Sequence, residues 1–485
     1  MHRSIALVNS PYYLRAHSTF RYVEGHTLPM GLLSLAAVIR RDLPEVSVNL
    51  VDGMAEALTP GELLERILQT NPSLVGIGSF TYSINDTLLL AKWLKQRRPD
   101  VTVVLGGVHV TNCPQEVMVD SNVDFVFRGE AEYAFRDFVS GRPFESIPGL
   151  VWRDGSGAVV MHAETAVLDS VDDLPRPAYD LVDMKRYFPT AGQCRRSPAG
   201  AMITSRGCPG NCIFCSSAVS GHRARFRSAQ SVFEEMEFLA NTYGLREIIF
   251  MDDVFTLKND RVRELCALIL DNGLDVLWDC STRAQYVDQD LLATMKRAGC
   301  NQISFGVETG DERVLSDIRK GQSLDQVREK VALAKAAGLE SRCSFILGLP
   351  TDTVESMQHT IDFALELDPH LVSFYIASPY PGTDMYDWAV SNDMLVTTNW
   401  SYYDQSHHLM NIPGATAAQI DEMYQSAYGS FYHRPKYLFR RLMMLRSWYD
   451  VRNAALAARM TFNAHAELEM DFDAVQARVE AQYAG

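Results

Sequence analysis

Three cysteines stand within eight residues of one another, in Ser205-Arg206-Gly207-Cys208-Pro209-Gly210-Asn211-Cys212-Ile213-Phe214-Cys215. The spacing Cys-x3-Cys-x2-Cys directly follows an apolar run that predicts a strand. Three thiolates on one tight loop can hold three irons of a [4Fe–4S] cube. No fourth cysteine follows nearby, so the spacing leaves one iron open to a ligand that the protein does not supply. A structural zinc site would want four closed ligands. His222 is the nearby candidate for a fourth, but it lies outside the common spacings. Three unrelated buried cysteines are the remaining reading. Arg206, Arg223, Arg225 and Arg227 surround the loop, either to recognise an anion or to form ion pairs, with pairing expected for at least two of them.

Such a loop needs a scaffold, and the flanking pattern supplies one. From about residue 200, candidate strands at 201–205, 247–251, 276–281, 302–306, 341–347 and 372–377 alternate with helical segments at 231–243, 260–271, 290–298, 324–337 and 354–367. Repeated βα units of this kind predict a partial, TIM-like (β/α)6 barrel spanning 196–395. Chemistry in such barrels sits at the C-terminal ends of the strands. The first 140 residues alternate in the same way. Apolar, β-branched runs at 5–8, 46–51, 74–77, 101–105 and 123–127 are separated by helical patterns at 31–40, 60–68, 84–97 and 114–119. They predict a parallel, doubly wound, flavodoxin-like (Rossmann-type) sheet over 1–140, with its ligand at the carboxyl ends of the strands. Residues 141–195 contain a hairpin pattern turning at Asp154, Gly155, Ser156 and Gly157, then a proline-rich run, and read as an interdomain linker. Residues 396–485 read as a helical C-terminal region. Helices are expected at 416–434, with Thr416 as N-cap, and at 436–460, a basic amphipathic segment expected to dock on the barrel with its arginine stems.

Composition narrows the class. Apolar residues make up 47% and charged residues 22%, the balance of a globular protein rather than a disordered or coiled-coil chain. The net charge, 45 − 60 = −15, argues against nucleic-acid or anionic-membrane partners. The longest apolar stretch, 29–39, is too short to span a membrane. The opening residues carry no apolar run long enough for a secretory signal, and nine cysteines, an odd number, do not suggest a disulfide framework. The expectation is a cytoplasmic protein.

With Met251-Asp252-Asp253 closing the second barrel strand, Glu308-Thr309-Gly310 the fourth, the run from Leu347 to Thr353 the fifth and that from Ser378 to Thr383 after the sixth, the chain resembles the radical S-adenosylmethionine superfamily. Gly106-Gly107-Val108-His109 and Arg128-Gly129-Glu130 in the N-terminal sheet make it similar to the cobalamin-binding branch. The resemblance implies three cofactors: a [4Fe–4S] cluster on Cys208, Cys212 and Cys215, S-adenosylmethionine chelating the open iron, and cobalamin. By family position, backbone around Asp252 and Asp253 meets the methionyl amino group, and Arg283, Ser304 and Glu308 are candidates for the ribose or carboxylate. Ile346 and Gly348 would flank the adenine. The plainer alternatives are helix capping for Asp252 and Asp253 and a structural ion pair for Arg283.

For cobalamin, the resemblance points to Asn9, Ser79, Thr81, Tyr82, Gly106, Gly107, His109, Gly129 and Glu130. Family members with a histidine below cobalt carry Asp-x-His-x-x-Gly. Here Asp52-Gly53-Met54-Ala55-Glu56-Ala57 has Met54 and Ala57 at those places, so no histidine ligand is expected. His109 is expected to hydrogen-bond the corrin edge or a loop, and the Ser79–Tyr82 loop to lie beneath the corrin.

The implied function is a methyltransferase that methylates an unactivated carbon of a small biosynthetic substrate through a 5′-deoxyadenosyl radical and methylcobalamin. An external flavodoxin- or ferredoxin-type reductant would supply the electron. The alternative is a cyclase or rearrangement enzyme of the anaerobic porphyrin-cyclase type. Methylthiolation would call for three more cysteines in the N-terminal domain, where Cys113 stands alone, and a non-catalytic cobalamin sensor would not need the cysteine cluster. Both cofactor sites lie at strand carboxyl ends, so the loops near Asn9, Thr81 and Gly107 are expected to face those near Cys208, Asp252 and Glu308 across one cavity.

Overall fold

The structure is a computed structural model that describes residues 3–9, 11–14, 25–189, 194–444, 451 and 472–484. Strands β1 (Ser4–Asn9), β2 (Ser47–Asp52), β3 (Leu74–Gly78), β4 (Thr102–Gly106) and β5 (Phe125–Phe127) are mutually parallel. They are followed by β6 (Leu150–Arg153) and β7 (Val159–Met161), which pair antiparallel, in the order β2-β1-β3-β4-β5-β6-β7. The first five have the flavodoxin-like order expected from the sequence. Alternation along β1 explains the layering. Ala6 and Val8 face the helices Pro60–Leu68 and Ile84–Arg97 in one apolar cluster, while Ile5 and Leu7 join Leu33 and Phe135 in another. The hairpin at 150–161 forms as the turn residues predict, with Asp154 Oδ1 accepting from the Ser156 amide at 2.8 Å. It does not hang free between two sheets. Its first strand pairs with β5, so the N-terminal sheet runs on past residue 140.

The ribbon β9 (Ser205–Arg206) and β10 (Arg225–Phe226) pairs antiparallel and brackets the cysteine loop. The second sheet comprises β8 (Ala199–Met202), β11 (Glu247–Phe250), β12 (Leu277–Thr282), β13 (Cys300–Glu308), β14 (Glu340–Leu347) and β15 (Leu371–Ile376). All six are parallel and sequential neighbours, the open partial barrel expected. In β14, Cys343, Phe345 and Leu347 are buried among the core, while Arg342, Ser344 and Ile346 on the other face are only half-buried. The apolar core is continuous from Ile5 and Leu7 through Trp152 and Tyr179 to Phe345 and Phe374, so the two sheets share one interior.

The open edge at β15 is covered by the helix Ala417–Tyr432, whose N-cap is Thr416 in a capping box with Gln419. The Tyr428 hydroxyl takes the Phe374 amide at 3.2 Å and donates to its carbonyl at 2.9 Å, and the Tyr432 hydroxyl accepts from the Val372 amide at 3.0 Å. Edge groups that would otherwise invite another strand are thereby satisfied. The following helix, Pro435–Met444, docks on the barrel as expected, but not with all of its apolar residues. It is anchored by buried Tyr437 and by Arg434, Lys436 and Arg440 around Asp368, at 2.9, 3.1 and 3.3 Å. Leu438, Phe439, Leu442 and Met443 remain exposed. The rest of the predicted helix to 460 lies outside the described residues. The helix Phe472–Ala484 returns to the N-terminal sheet, burying Val479 and Tyr483 in its core. No helix among the described residues is long and apolar enough to cross a membrane.

Candidate functional site

The cysteine loop is held by geometry its glycines permit. Gly207 has φ +89°, and a Cβ there would meet the Arg223 carbonyl at 2.5 Å. A Cβ on Gly210 would meet Arg283 Nη2 at 2.5 Å. That approach lets the Arg283 guanidinium, from the end of β12, donate to Cys212 Sγ at 2.7 Å and to the Lys320 carbonyl at 3.2 Å. The Gly210 amide donates to Cys208 Sγ at 3.4 Å. The Ile213 amide bonds the Ile318 carbonyl at 3.3 Å, and Met385 bonds back to Ile213 at 2.9 Å. Desolvation by the surrounding protein pushes the Cys215 thiol up to about 11, with the charges of Cys212, Asp253 and Cys208 adding to it. Three thiols close enough to repel one another as anions are a donor set that a cationic iron cluster satisfies.

Around this loop the barrel places the expected strand-end residues, with changed roles for some. The Asp252 carboxylate is buried and turned inward, accepting from the Thr204 amide at 2.6 Å and the Ser205 hydroxyl at 2.7 Å, with Arg261 at 3.7 Å. Its backbone alone is left for a ligand, whereas Asp253 lines the cavity described below. Arg283 is engaged with the cysteine loop rather than held open for a nucleoside, closer to the structural reading of that residue. Ser304 and Ile346 lie on half-buried positions of β13 and β14. Glu308 takes a left-handed conformation, φ +74°, at a register shift in β13, and is buried in an ion pair with Lys320. A non-glycine residue held at such an angle stores strain of the kind found at functional sites. Gly348, φ +81°, is buried beneath Ile420. Lys320, also 5.9 Å from the Phe214 ring of the cysteine loop, was not singled out by sequence. It follows no motif, and only the fold brings it to Glu308.

A cavity of about 620 Å³ opens between the sheets. The carboxyl ends of β1, β2, β3 and β4 form one wall, where register aligns Asp52, Asn9, Gly78 and Gly106 in a row. Of the residues expected for cobalamin, Asn9, Ser79, Tyr82, Gly106, Gly107, Gly129 and Glu130 line it. Ile203, Ser205, Arg206, Met251 and Asp253 line it from the barrel side, so the two sets of strand ends share one space. A Cβ on Gly106 would meet nothing within 4 Å, which leaves the backbone there open to a flat ligand. Met54, in the place of the motif histidine, also lines the cavity.

Thr81 and His109 do not line it. Thr81 is buried in a turn. His109 is carried by the short helix Val108–Asn112 to the far side of the loop, where it is fully buried against Trp400 at 5.1 Å between centroids. Burial pulls its imidazole down to about 4, so the ring is neutral. The expectation that His109 reaches the corrin edge is therefore corrected. Among the described residues, the histidine that does line the cavity is His26, in edge contact with Phe188. The sequence offered only a Gly-His-Thr loop before a helix start as its signal.

Three of the four arginines near the cysteine loop are paired. Arg225 binds Glu130, Arg206 binds Glu132 at 2.6 Å and approaches Glu130 at 3.6 Å, and Arg227 binds Glu235 at 2.7 Å. Glu130 also takes the Leu168 amide at 2.7 Å. Arg223 is exposed. The pairs at Glu130 and Glu132 tie the first sheet to the residue two before Cys208.

Comparison with known proteins agrees with this geometry. Residues 202–364 match the Radical SAM superfamily model and residues 18–139 the B12 binding domain model. The chain is 38% identical over 430 residues to an uncharacterized methyltransferase of Pyrococcus horikoshii, covering 87% of this chain and 92% of that protein. It is 28% identical to the cytidylyl-2-hydroxyethylphosphonate methyltransferase of Streptomyces wedmorensis, over 80% of this chain and 83% of that one. Its fold superposes on the cobalamin-dependent S-adenosylmethionine radical enzyme OxsB, solved with aqua-cobalamin and S-adenosylmethionine bound, with a TM-score of 0.74 at 15% identity, covering 99% of this chain and 75% of that one. A thiol loop at the mouth of a partial barrel, facing a flavodoxin-like sheet across one cavity, thus has its counterpart in sequence and in fold, and the chain belongs to the cobalamin-binding radical S-adenosylmethionine enzymes, whose cofactors are a [4Fe–4S] cluster, S-adenosylmethionine and cobalamin.

Proposed function

We propose that this enzyme methylates an unactivated carbon of a small biosynthetic substrate held between its two sheets. One observation carries the reading above the others: Asn9 and Gly106 on one side, and Ser205, Arg206 and Asp253 on the other, border a single cavity. A group bound by the first sheet and one bound by the barrel are then within reach of the same substrate. Bound there, the cofactors supply a carbon radical and a transferable methyl group; the chain supplies placement and exclusion of water.

Cys208, Cys212 and Cys215 would hold the cluster, with Arg283 donating to Cys212 Sγ and fixing its position. Backbone at Asp252, with Asp253, Ser304, Ile346 and Gly348, would seat S-adenosylmethionine. The Glu308–Lys320 pair fixes the strand end beside it. Asn9, Ser79, Tyr82, Gly106, Gly107 and Gly129 would meet cobalamin. Leu7, Leu32, Leu35, Phe127 and Phe135 make much of the cavity wall apolar, which keeps water from a reactive carbon. The electron would come from a flavodoxin- or ferredoxin-type donor. We place the reaction in the cytoplasm, where a reducing environment suits nine free cysteines.

The test is an anaerobic turnover with the reconstituted enzyme and extracts of substrate-rich cells. Methyl transfer gives S-adenosylhomocysteine alongside 5′-deoxyadenosine and a product heavier by one methyl group. 5′-Deoxyadenosine with no S-adenosylhomocysteine would replace this reading by cyclisation or rearrangement.

A further inference from the structure

Behind the cavity wall, the loop after β4 carries a set of side chains that the reaction does not use. His109, Cys113 and Glu116 offer one nitrogen, one sulfur and one oxygen, and these atoms all lie within 4.8 Å of one another. The local fold explains the convergence. Cys113 follows His109 by one helical turn, its amide bonding the His109 carbonyl at 2.8 Å. The next turn, Pro114–Val117, brings Glu116 onto the same side. Two further observations point to a ligand. His109 is fully buried, yet neither ring nitrogen has a hydrogen-bond partner, and a buried imidazole left in that state costs free energy that a bound partner would recover. Glu116 is already oriented by Trp400, whose Nε1 donates to Oε1 at 2.7 Å.

We propose that His109, Cys113 and Glu116 form a zinc site, with water or a neighbouring oxygen as the fourth ligand. A neutral imidazole, a thiolate and a carboxylate are a borderline-soft set that suits a tetrahedral divalent ion of this kind. The ligand atoms around such an ion stand roughly 3.3–3.8 Å apart, so binding draws these three inward by about 1 Å. Burial runs from His109, at the core, to exposed Glu116 at the surface, which leaves the ion an entry path. None of the three residues belongs to the cysteine loop or lines the cavity. The ion would brace the turns that follow the Gly106–Gly107 loop, with Trp400, from the segment after the barrel, holding Glu116 in place. This is a structural role, independent of the reaction proposed above.

The experiment measures zinc by elemental analysis in the full chain carrying its iron cluster, after anaerobic dialysis against zinc sulfate and then buffer. About one zinc per chain is expected, with a zinc-edge absorption spectrum containing one sulfur among nitrogen and oxygen neighbours. The zinc should persist in the Cys208→Ala/Cys212→Ala/Cys215→Ala variant and be lost in Cys113→Ala. Glu116→Gln, at an exposed position, should fold normally and bind zinc at least tenfold more weakly, so a failure of His109→Ala to fold would not block the test. Zinc below about a tenth of an equivalent in the native chain, or zinc that follows the three cluster cysteines instead, overturns the proposal.

Discussion

At the residue scale, the proposed cluster gives each thiolate of Cys208, Cys212 and Cys215 a separate iron to hold, so no two could do the work of three. Replacing any one by alanine is expected to abolish the absorbance near 400 nm of the reconstituted protein and the cleavage of S-adenosylmethionine. The six other cysteines should be dispensable for both, and an equal loss in Cys266→Ala or Cys300→Ala would refute the open-iron assignment. His109 gives a second prediction. It is fully buried and turned away from the cavity, so His109→Ala should leave the electron paramagnetic resonance spectrum of the cob(II) form unchanged. Nitrogen superhyperfine splitting that vanished in that variant would place the ring on cobalt. His26 is the control, because it does line the cavity.

At the element scale, two devices hold the barrel's last third. The hydroxyls of Tyr428 and Tyr432 satisfy the free edge of β15. Losing one leaves edge amides without a partner, so Tyr428→Phe and Tyr432→Phe should each cost about 1–2 kcal/mol, read as a lower denaturant midpoint. The other device is the turn after β14, where the Asp352 carboxyl bonds the Leu349 amide at 2.9 Å and the Ser356 hydroxyl at 2.6 Å. Burial raises it from 3.8 to about 6 in spite of those bonds. The folded chain therefore binds this proton more tightly than the unfolded chain. This carboxyl's contribution to stability is greatest below the unfolded value and falls as the pH rises through about 4 to 6, by about 3 kcal/mol in all. Asp352→Asn should flatten that part of the profile. A slope from pH 4 to 6 that is unchanged in the variant would assign it to other carboxyls.

At the scale of the whole molecule, the two sheets are locked by Arg225 on Glu130 and Arg206 on Glu132, all buried or nearly so. Removing one partner of such a pair leaves an uncompensated buried charge and costs about 3–5 kcal/mol. Arg225→Met should therefore loosen the cavity wall at Glu130. The expected outcome is at least a tenfold loss in cobalamin affinity by spectroscopic titration, while the iron content stays near that of the native chain. Equal loss of both cofactors would mean that Arg225 supports the cysteine loop itself rather than the closure of the sheets.

The sequence alone carried the proposal for the three cysteines, and it determined the order of the strands in both sheets and the departure at Met54. Each is carried by contiguous or evenly spaced residues: the Cys-x3-Cys-x2-Cys spacing, the short apolar runs, the displaced motif. The hairpin at Asp154 and the cap at Thr416 were legible for the same reason, since turns and caps are local. The pairing of that hairpin with β5 was not, because register across an edge depends on two distant segments. The tertiary structure decided which charged side chains remain for chemistry. Arg283 is drawn to Cys212 across 71 residues, Asp252 to Thr204 across 48 and Arg225 to Glu130 across 95. Lys320 meets Glu308 through a loop that no motif marks. A buried charge must find a partner wherever the chain brings one, and sequence spacing carries no record of that meeting. His109 shows the same limit at one residue. Its motif marks the loop, but the helical turn after Gly107 decides that the ring faces Trp400, Cys113 and Glu116 instead of the cavity.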